Sequence, residues 1–217
     1  HKKETGLVPE RAIRDAGNEM IRKDGTLVCS DGGFYLKNSF RAELGAAASL
    51  VKLILRGGTQ SYQVDSIIKE KILLNARQKE GILRAFQYPV TIITGGPGRG
   101  KTTDISFIIE VEKILHKNAE ILLCAPTGRA RRRMSDCTAC PALTIHKAIG
   151  LKGEAGEEEW DEESMLEASL IIVDECSMID MPLMDKFLSR VPIGTRLVFL
   201  GDKDQLESVG PGNVFKE

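Results

Sequence analysis

Four short runs of β-branched and leucine residues punctuate the chain beyond residue 60: Val90–Thr94, Ile121–Ala125, Leu170–Val173 and Leu197–Leu200. Each is too short for a helix and mostly apolar, which is the pattern of a strand buried on both faces. The stretches Thr102–His116 and Met181–Arg190 between them have helical amphipathic spacing. Strands alternating with helices predict an α/β fold with a parallel sheet covered on both sides. The first sixty residues read differently. A helix is expected over residues 9–23, with Pro9 in its first turn and Ala12, Ile13, Ala16, Met20 and Ile21 on one face. Thr26–Ser30 and Phe34–Lys37 flank Asp31–Gly32–Gly33 as a hairpin. A second helix runs from Phe40 to Leu55 and ends at Gly57–Gly58. The pattern divides the chain into a helix–hairpin–helix module, residues 1–63, and an α/β unit, residues 64–217. The module is either winged-helix-like or a small helical cap that packs on its neighbour.

Composition narrows the class. With 217 residues, 42% hydrophobic and 28% charged, the chain is an ordinary globular sequence. It contains no run of eighteen apolar residues, so no membrane span is expected. The net charge of −1 hides a split: residues 1–150 hold 24 Lys and Arg against 15 Asp and Glu, and residues 151–217 hold 6 against 16. The positive part suits a nucleic-acid partner, but seven of the acidic residues lie within Glu154–Glu163, a solvated surface loop. The five cysteines, Cys29, Cys124, Cys137, Cys140 and Cys176, are odd in number and scattered, which predicts reduced thiols and a cytoplasmic setting. Cys137 and Cys140 form a C-x-x-C without a second pair, so a loop with two thiols is favoured over a zinc site. A start at His1 and the lack of a signal-peptide pattern suggest a piece of a longer protein.

Two motifs carry chemistry. Gly95–Gly96–Pro97–Gly98–Arg99–Gly100–Lys101–Thr102 follows an apolar strand and precedes a helix, the context of a phosphate-binding loop. Its glycines let backbone N–H groups turn inward around a nucleotide β-phosphate. Lys101 adds a cation for the β- and γ-phosphates, and Thr102 offers a hydroxyl to Mg²⁺. Leu170–Val173 then delivers Asp174 and Glu175 to a strand end, where ligands bind in open α/β sheets. Asp174 suits Mg²⁺, and Glu175 is placed to orient or deprotonate a water attacking the γ-phosphate, which favours hydrolysis over transfer to a metabolite. Gln205 follows the fourth strand in GDKDQL and is either a γ-phosphate sensor or part of a polar turn.

The ordered segments GGPGRGKTT, CAPTGRARRRM, LTIHKAIG, IIVDECSMID and GDKDQLESVGPG resemble the motifs of RecD-type superfamily 1 DNA helicases, over roughly Asn75 to Gly212. The resemblance implies a RecA-like three-layer αβα motor domain in residues 64–217. It also implies use of ATP with Mg²⁺ and 5′-to-3′ movement on single-stranded DNA. Gln78 would read the adenine edge, Thr103 would complete the nucleotide-contacting run, and Lys101, Glu175 and Gln205 would be catalytic. Thr127, Gly128 and Arg129 would contact the DNA strand, with Thr144 and His146 in a second DNA-facing motif. His146 as a buried helix-start residue stays open, as does a solvated basic face for Arg131, Arg132 and Arg133. Arg99 stands where Thr is usual, Glu207 where Pro is, and Cys176 where Ser or Ala is; none removes an essential group. Helicases of this kind clamp ATP between two RecA-like domains, the second supplying an arginine finger worth about 10³–10⁵ in rate. By the resemblance, this monomeric piece would bind nucleotide, hydrolyse it slowly and not unwind DNA. Further subunits of a helicase–nuclease complex are implied partners. A P-loop ATPase switch or a relaxase-linked helicase is the alternative, against which the GGPG start of the loop argues.

Overall fold

The computed structural model describes residues 10–23, 25–30, 32–57, 64–69, 74–96, 100–151, 164–202, 204, 208, 210–212 and 214. From the N-terminus, α1 (Glu10–Lys23) leads into the antiparallel pair β1 (Leu27–Ser30) and β2 (Gly33–Leu36). There follow α2 (Lys37–Gly57), α3 (Val64–Lys69), α4 (Ala76–Gln87), β3 (Val90–Thr94) and α5 (Lys101–Leu115). The chain continues through β4 (Ile121–Ala125), α6 (Gly128–Thr138), β5 (Ala142–Thr144), α7 (Ile145–Ala148), β6 (Leu170–Val173), α8 (Met181–Leu188) and β7 (Arg196–Gly201). The sheet order is β3-β7-β6-β4-β5, with every neighbouring pair parallel. The four apolar runs are its four longest strands. All of β6 and β7 is buried, as expected for central parallel strands.

Two hydrophobic layers enclose the sheet. Phe86, Ile82, Ile105, Ile108, Ile172 and Val198 fill one side; Phe187, Ile179, Ile171, Val173 and Leu197 fill the other. The second layer also takes in Ala42, Ala46 and Leu53 from α2, so this helix of the N-terminal segment is built into the core of the α/β unit. Gly45 makes the α2–α8 approach possible, because a Cβ there would overlap the Asp185 carboxylate. At the N-terminal end of the sheet, Arg196 is ion-paired with the fully buried Glu112 and lies 4.8 Å over the Phe86 ring, tying α5 to β7.

The N-terminal elements depart from expectation in two respects. Strand β2 runs straight into α2, which starts at Lys37 rather than Phe40; the Lys37 N–H donates to the Thr26 carbonyl at 2.8 Å and closes the hairpin base. The proposed apolar face of α1 is not a buried face. Ala12, Ile13, Ala16 and Met20 are exposed, and Gly17 is the buried residue of the helix, beneath Phe34 of the hairpin. Helical periodicity marks which residues share a side, but whether that side is buried depends on a tertiary partner, and here the hairpin meets the helix at Gly17. No helix among the described residues is long and apolar enough to cross a membrane.

Candidate functional site

The C-terminal ends of β3 and β7 lie side by side and, with α4 and the start of α5, line a cleft of about 410 Å³; β6 lies next to β7, and Asp174 and Glu175 at its end are not among the lining residues. Gly95 follows β3 and donates its N–H to the Gly201 carbonyl at 3.1 Å, fastening the start of the phosphate loop to β7. Gly100 is the N-cap of α5 in the left-handed region, φ +86°, and a Cβ there would lie 2.8 Å from Gln78 Nε2. Both the backbone and the space therefore demand glycine. Lys101 and Thr102 open α5, whose free N–H groups mark the N-terminal pole of a fifteen-residue helix. The Lys101 Nζ is buried and has no hydrogen-bond partner among the described residues. A buried ammonium in that condition is unfavourable unless an anion completes it, so the lysine fits a nucleotide phosphate. Gln78, Gly95, Gly96 and Lys101 share the cleft; Thr102 is half-buried and Thr103 exposed. Pro97, Gly98 and Arg99 lie outside the described residues.

Asp174 and Glu175 stand one strand further across. The Asp174 backbone N–H donates to the Cys124 carbonyl at 3.0 Å and fixes the main chain, and the carboxylate Oδ1 accepts the Glu175 N–H at 2.9 Å. Burial pushes the Asp174 pKa up; the Glu175 N–H, Lys101 and Arg133 pull the other way without cancelling it. A desolvated carboxylate beside an unpartnered lysine suits Mg²⁺, which would be held by Asp174 and Thr102 and would supply charge neutralisation at the phosphates. Glu175 sits in the left-handed region, φ +57° and ψ +39°, a conformation that costs a non-glycine residue about 1–3 kcal/mol. Its Oε1 lies 3.9 Å from Arg133 Nη1, while Oε2 is buried without a hydrogen-bond partner among the described residues. The left-handed backbone at the end of β6 thus carries a carboxylate that is only half-satisfied among the described residues.

A testable consequence concerns Asp174. Because its folded pKa is raised above the ordinary value near 3.8, its contribution to stability is present below that value and is lost as pH rises through the folded pKa. Asp174→Asn keeps an Oδ1 for the Glu175 N–H and removes the buried charge. We expect the metal-free variant to melt roughly 2–4 °C higher at pH 7, with the gain disappearing on acidification toward pH 4, and Mg²⁺ to lose its effect on nucleotide affinity. Calorimetric melts across pH with and without Mg²⁺ check both halves.

The residues that the resemblance assigns to DNA contact follow β4 and β5 at the same end of the sheet. Thr127 caps α6 by accepting the Ala130 N–H at 3.2 Å, and Thr144 caps α7 by accepting the Lys147 N–H at 3.2 Å. Strand register pairs Ala125 with Thr144. Gly128, Arg129 and His146 are exposed, so His146 is not the buried helix-start residue that the sequence left open. Of the three consecutive arginines, Arg133 reaches Glu175, and its side chain is 70% exposed. Because β4 lies directly beside β6, the α6 motif and the acidic pair are one strand apart.

Gln205 and Glu154–Glu163 lie outside the described residues. Asp104 on α5 and Asn75 before α4 line the cleft without belonging to a quoted motif, and Asp202 of the GDKDQL segment lines it after β7. Asn75 and Gln78 form a reciprocal capping box, and the N-x-x-Q spacing was the sequence signal that could have located α4. All five cysteines are free. Cys176 and Cys124 are fully buried, and burial raises both thiol pKa values, that of Cys124 to about 12; they act as small apolar fillers. No cluster of three or more His, Cys, Asp or Glu that could hold a metal occurs among the described residues.

Residues 78–211 match the family model described as an AAA domain. The chain is 33% identical to the RecBCD enzyme subunit RecD of Haemophilus influenzae, over 86% of this chain and 34% of that protein. It is 32% identical to the ATP-dependent RecD2 DNA helicase of Deinococcus radiodurans, over 84% of this chain and 25% of that protein. It therefore spans about a third or less of these relatives' length. Among solved structures, the UvsW helicase of bacteriophage T4 superimposes with a TM-score of 0.54 at 10% identity, over 86% of this chain and 85% of that one, a likeness of fold alone. With its phosphate loop, acidic pair and parallel sheet all inside the matched span, the chain belongs to the AAA domain family, and RecD-type helicases are its relatives by sequence.

Proposed function

We propose that this chain is the ATP-binding motor domain of a DNA helicase moving 5′-to-3′ on single-stranded DNA, with ATP hydrolysis driving translocation. The observation that carries the reading is the buried Lys101 ammonium, lacking a hydrogen-bond partner among the described residues and close enough to Asp174 to lower its pKa. Lys101 and the Gly95–Gly100 loop bind the phosphates, Thr102 and Asp174 hold Mg²⁺, Glu175 activates water, and Gln205 senses the γ-phosphate. Gln78 reads the adenine edge, with Gly81 and Ile93 supplying the apolar wall beside it. Residues 64–217 form the motor domain, and residues 1–63 ride on it through α2. Thr127, Gly128, Arg129, Thr144 and His146 contact the DNA strand, and the full-length protein works alone or within a helicase–nuclease complex.

The adjacency of β4 and β6 predicts that strand binding and hydrolysis are coupled. ATPase activity of the full-length protein is expected to rise at least tenfold with single-stranded DNA. Arg129→Ala should weaken strand binding and lower the slope of log affinity against log salt by about one. Turnover indifferent to DNA would point instead to an ATPase switch.

A further inference from the structure

We propose that Asp104 is a specificity-determining residue: by accepting a hydrogen bond from Gln78 it fixes the orientation of the Gln78 amide and thereby selects adenine over 6-oxopurines. The inference rests on the reading of Gln78 as the base-contacting residue. Asp104 lies on the first turn of α5, three residues after Lys101, and is 6% exposed. Gln78 Nε2 donates to Asp104 Oδ1 at 2.8 Å, and Gln78 Oε1 accepts the Asn75 N–H at 3.2 Å. All three residues line the cleft.

A glutamine amide has two N–H donors and two carbonyl lone pairs. Here one of each is committed to a partner whose polarity is fixed: a carboxylate only accepts and a backbone N–H only donates. Turning the amide over would set Oε1 against the Asp104 carboxylate and Nε2 against the Asn75 N–H, replacing two hydrogen bonds with two repulsions. Close packing holds the amide as well, since Gly100 is the residue that leaves room for Nε2. One N–H and one lone pair remain for a ligand, attached to identified atoms. Adenine presents an N6–H donor beside the N7 acceptor, which this pair complements; a 6-oxopurine presents O6 and N7, both acceptors, and meets Oε1 with repulsion. The buried Asp104 carboxylate accepts the Gln78 Nε2–H at 2.8 Å, and that bond offsets part of the cost of its desolvation. An apolar residue at this first-turn position would avoid that cost, but would give up the Gln78 bond together with the favourable placement of an acid near the N-terminus of α5.

The test compares ATP with ITP, which carries the 6-oxo group without the 2-amino group of guanine. In the full-length protein, kcat/KM for each nucleotide is measured for the parent, Asp104→Leu and Gln78→Ala. Leucine matches the branched shape of aspartate but cannot accept a hydrogen bond, so the amide is free to turn. The parent is expected to favour ATP by at least tenfold. Asp104→Leu should reduce that ratio by about tenfold, mainly through a lower KM for ITP, with a melting temperature no lower than the parent's. Gln78→Ala should erase the preference too. A collapse of the ratio in Gln78→Ala with the parent's ratio kept in Asp104→Leu would overturn the orienting role while leaving base reading by Gln78 intact. An unchanged ratio in both variants would instead overturn base reading by Gln78, and the inference with it.

Discussion

Glu175→Gln is expected to lower kcat for ATP hydrolysis in the full-length protein by about 10²–10⁴, the usual contribution of a positioned general base, while nucleotide affinity stays within about twofold. The expectation follows from how the residue is held. Glutamine keeps the length and shape of the side chain, so the left-handed backbone at residue 175 and the Glu175 N–H bond to Asp174 both survive the change. What disappears is the ability of the buried, unpartnered oxygen to take a proton. The ion pair with Arg133, 3.9 Å long and largely exposed on the arginine side, contributes little to stability, so the variant should fold and melt like the parent. Single-turnover hydrolysis separates chemistry from product release, and a fluorescent nucleotide titration reports affinity. A parallel fall in kcat and affinity would mean that Glu175 binds metal or phosphate rather than activating water.

The parts of this fold that the sequence announced are those whose cause is local. A central parallel strand is buried on both faces, so Leu170–Val173 and the run at Leu197 stand out as unbroken apolar segments. Strand β5 and helix α7, three and four residues long, are too short to express a period. Helix α4 has only Ile82, Ala85 and Phe86 buried, and its clearest mark is the cap at Asn75. What escaped was tertiary. The apolar positions of α1 share a side, yet Ala12, Ile13, Ala16 and Met20 stay exposed among the described residues; α2 in contrast lies in the core beside α8, with Gly45 meeting Asp185 across 140 positions of sequence.

The same division runs through the site. Lys101, Thr102, Asp174 and Glu175 could be proposed from sequence because each proposed chemistry depends on a short stretch of backbone: a glycine-rich turn entering a helix, or a strand end. Asp104 is a single acid whose meaning arises only when α5 brings it beside Gln78, and Asp202, though inside GDKDQL, comes beside Gly96 only through β7. The Arg196–Glu112 pair is likewise invisible in sequence, joining residues 84 positions apart at the end of the sheet remote from the cleft. His146 could be settled only by its surroundings, and it faces solvent.

Lys101→Ala should raise the dissociation constant for ATP by at least about 10²-fold, because truncating one member of a buried charge pair costs about 2–5 kcal/mol. Two arguments make the effect specific to binding rather than to folding. The Lys101 Nζ has no hydrogen-bond partner among the described residues, so its removal breaks no such contact and relieves the desolvation of a cation that only the charge of Asp174 partly balances. Alanine is also the best helix former for the first turn of α5. The ligand-free variant is therefore expected to melt at or slightly above the parent's temperature. The loss extends to the metal site, since Lys101 is one of the two cations holding down the Asp174 pKa against burial. Without it that pKa rises further, a larger share of Asp174 is protonated at any given pH, and Mg²⁺ is bound more weakly as the pH falls. Thermal shift with ATP and Mg²⁺ reads both consequences: the parent is stabilised in proportion to the logarithm of ligand over dissociation constant, and the variant is not. Retention of the parent's nucleotide shift by Lys101→Ala would remove the phosphate loop from the binding site and leave the buried ammonium without a role.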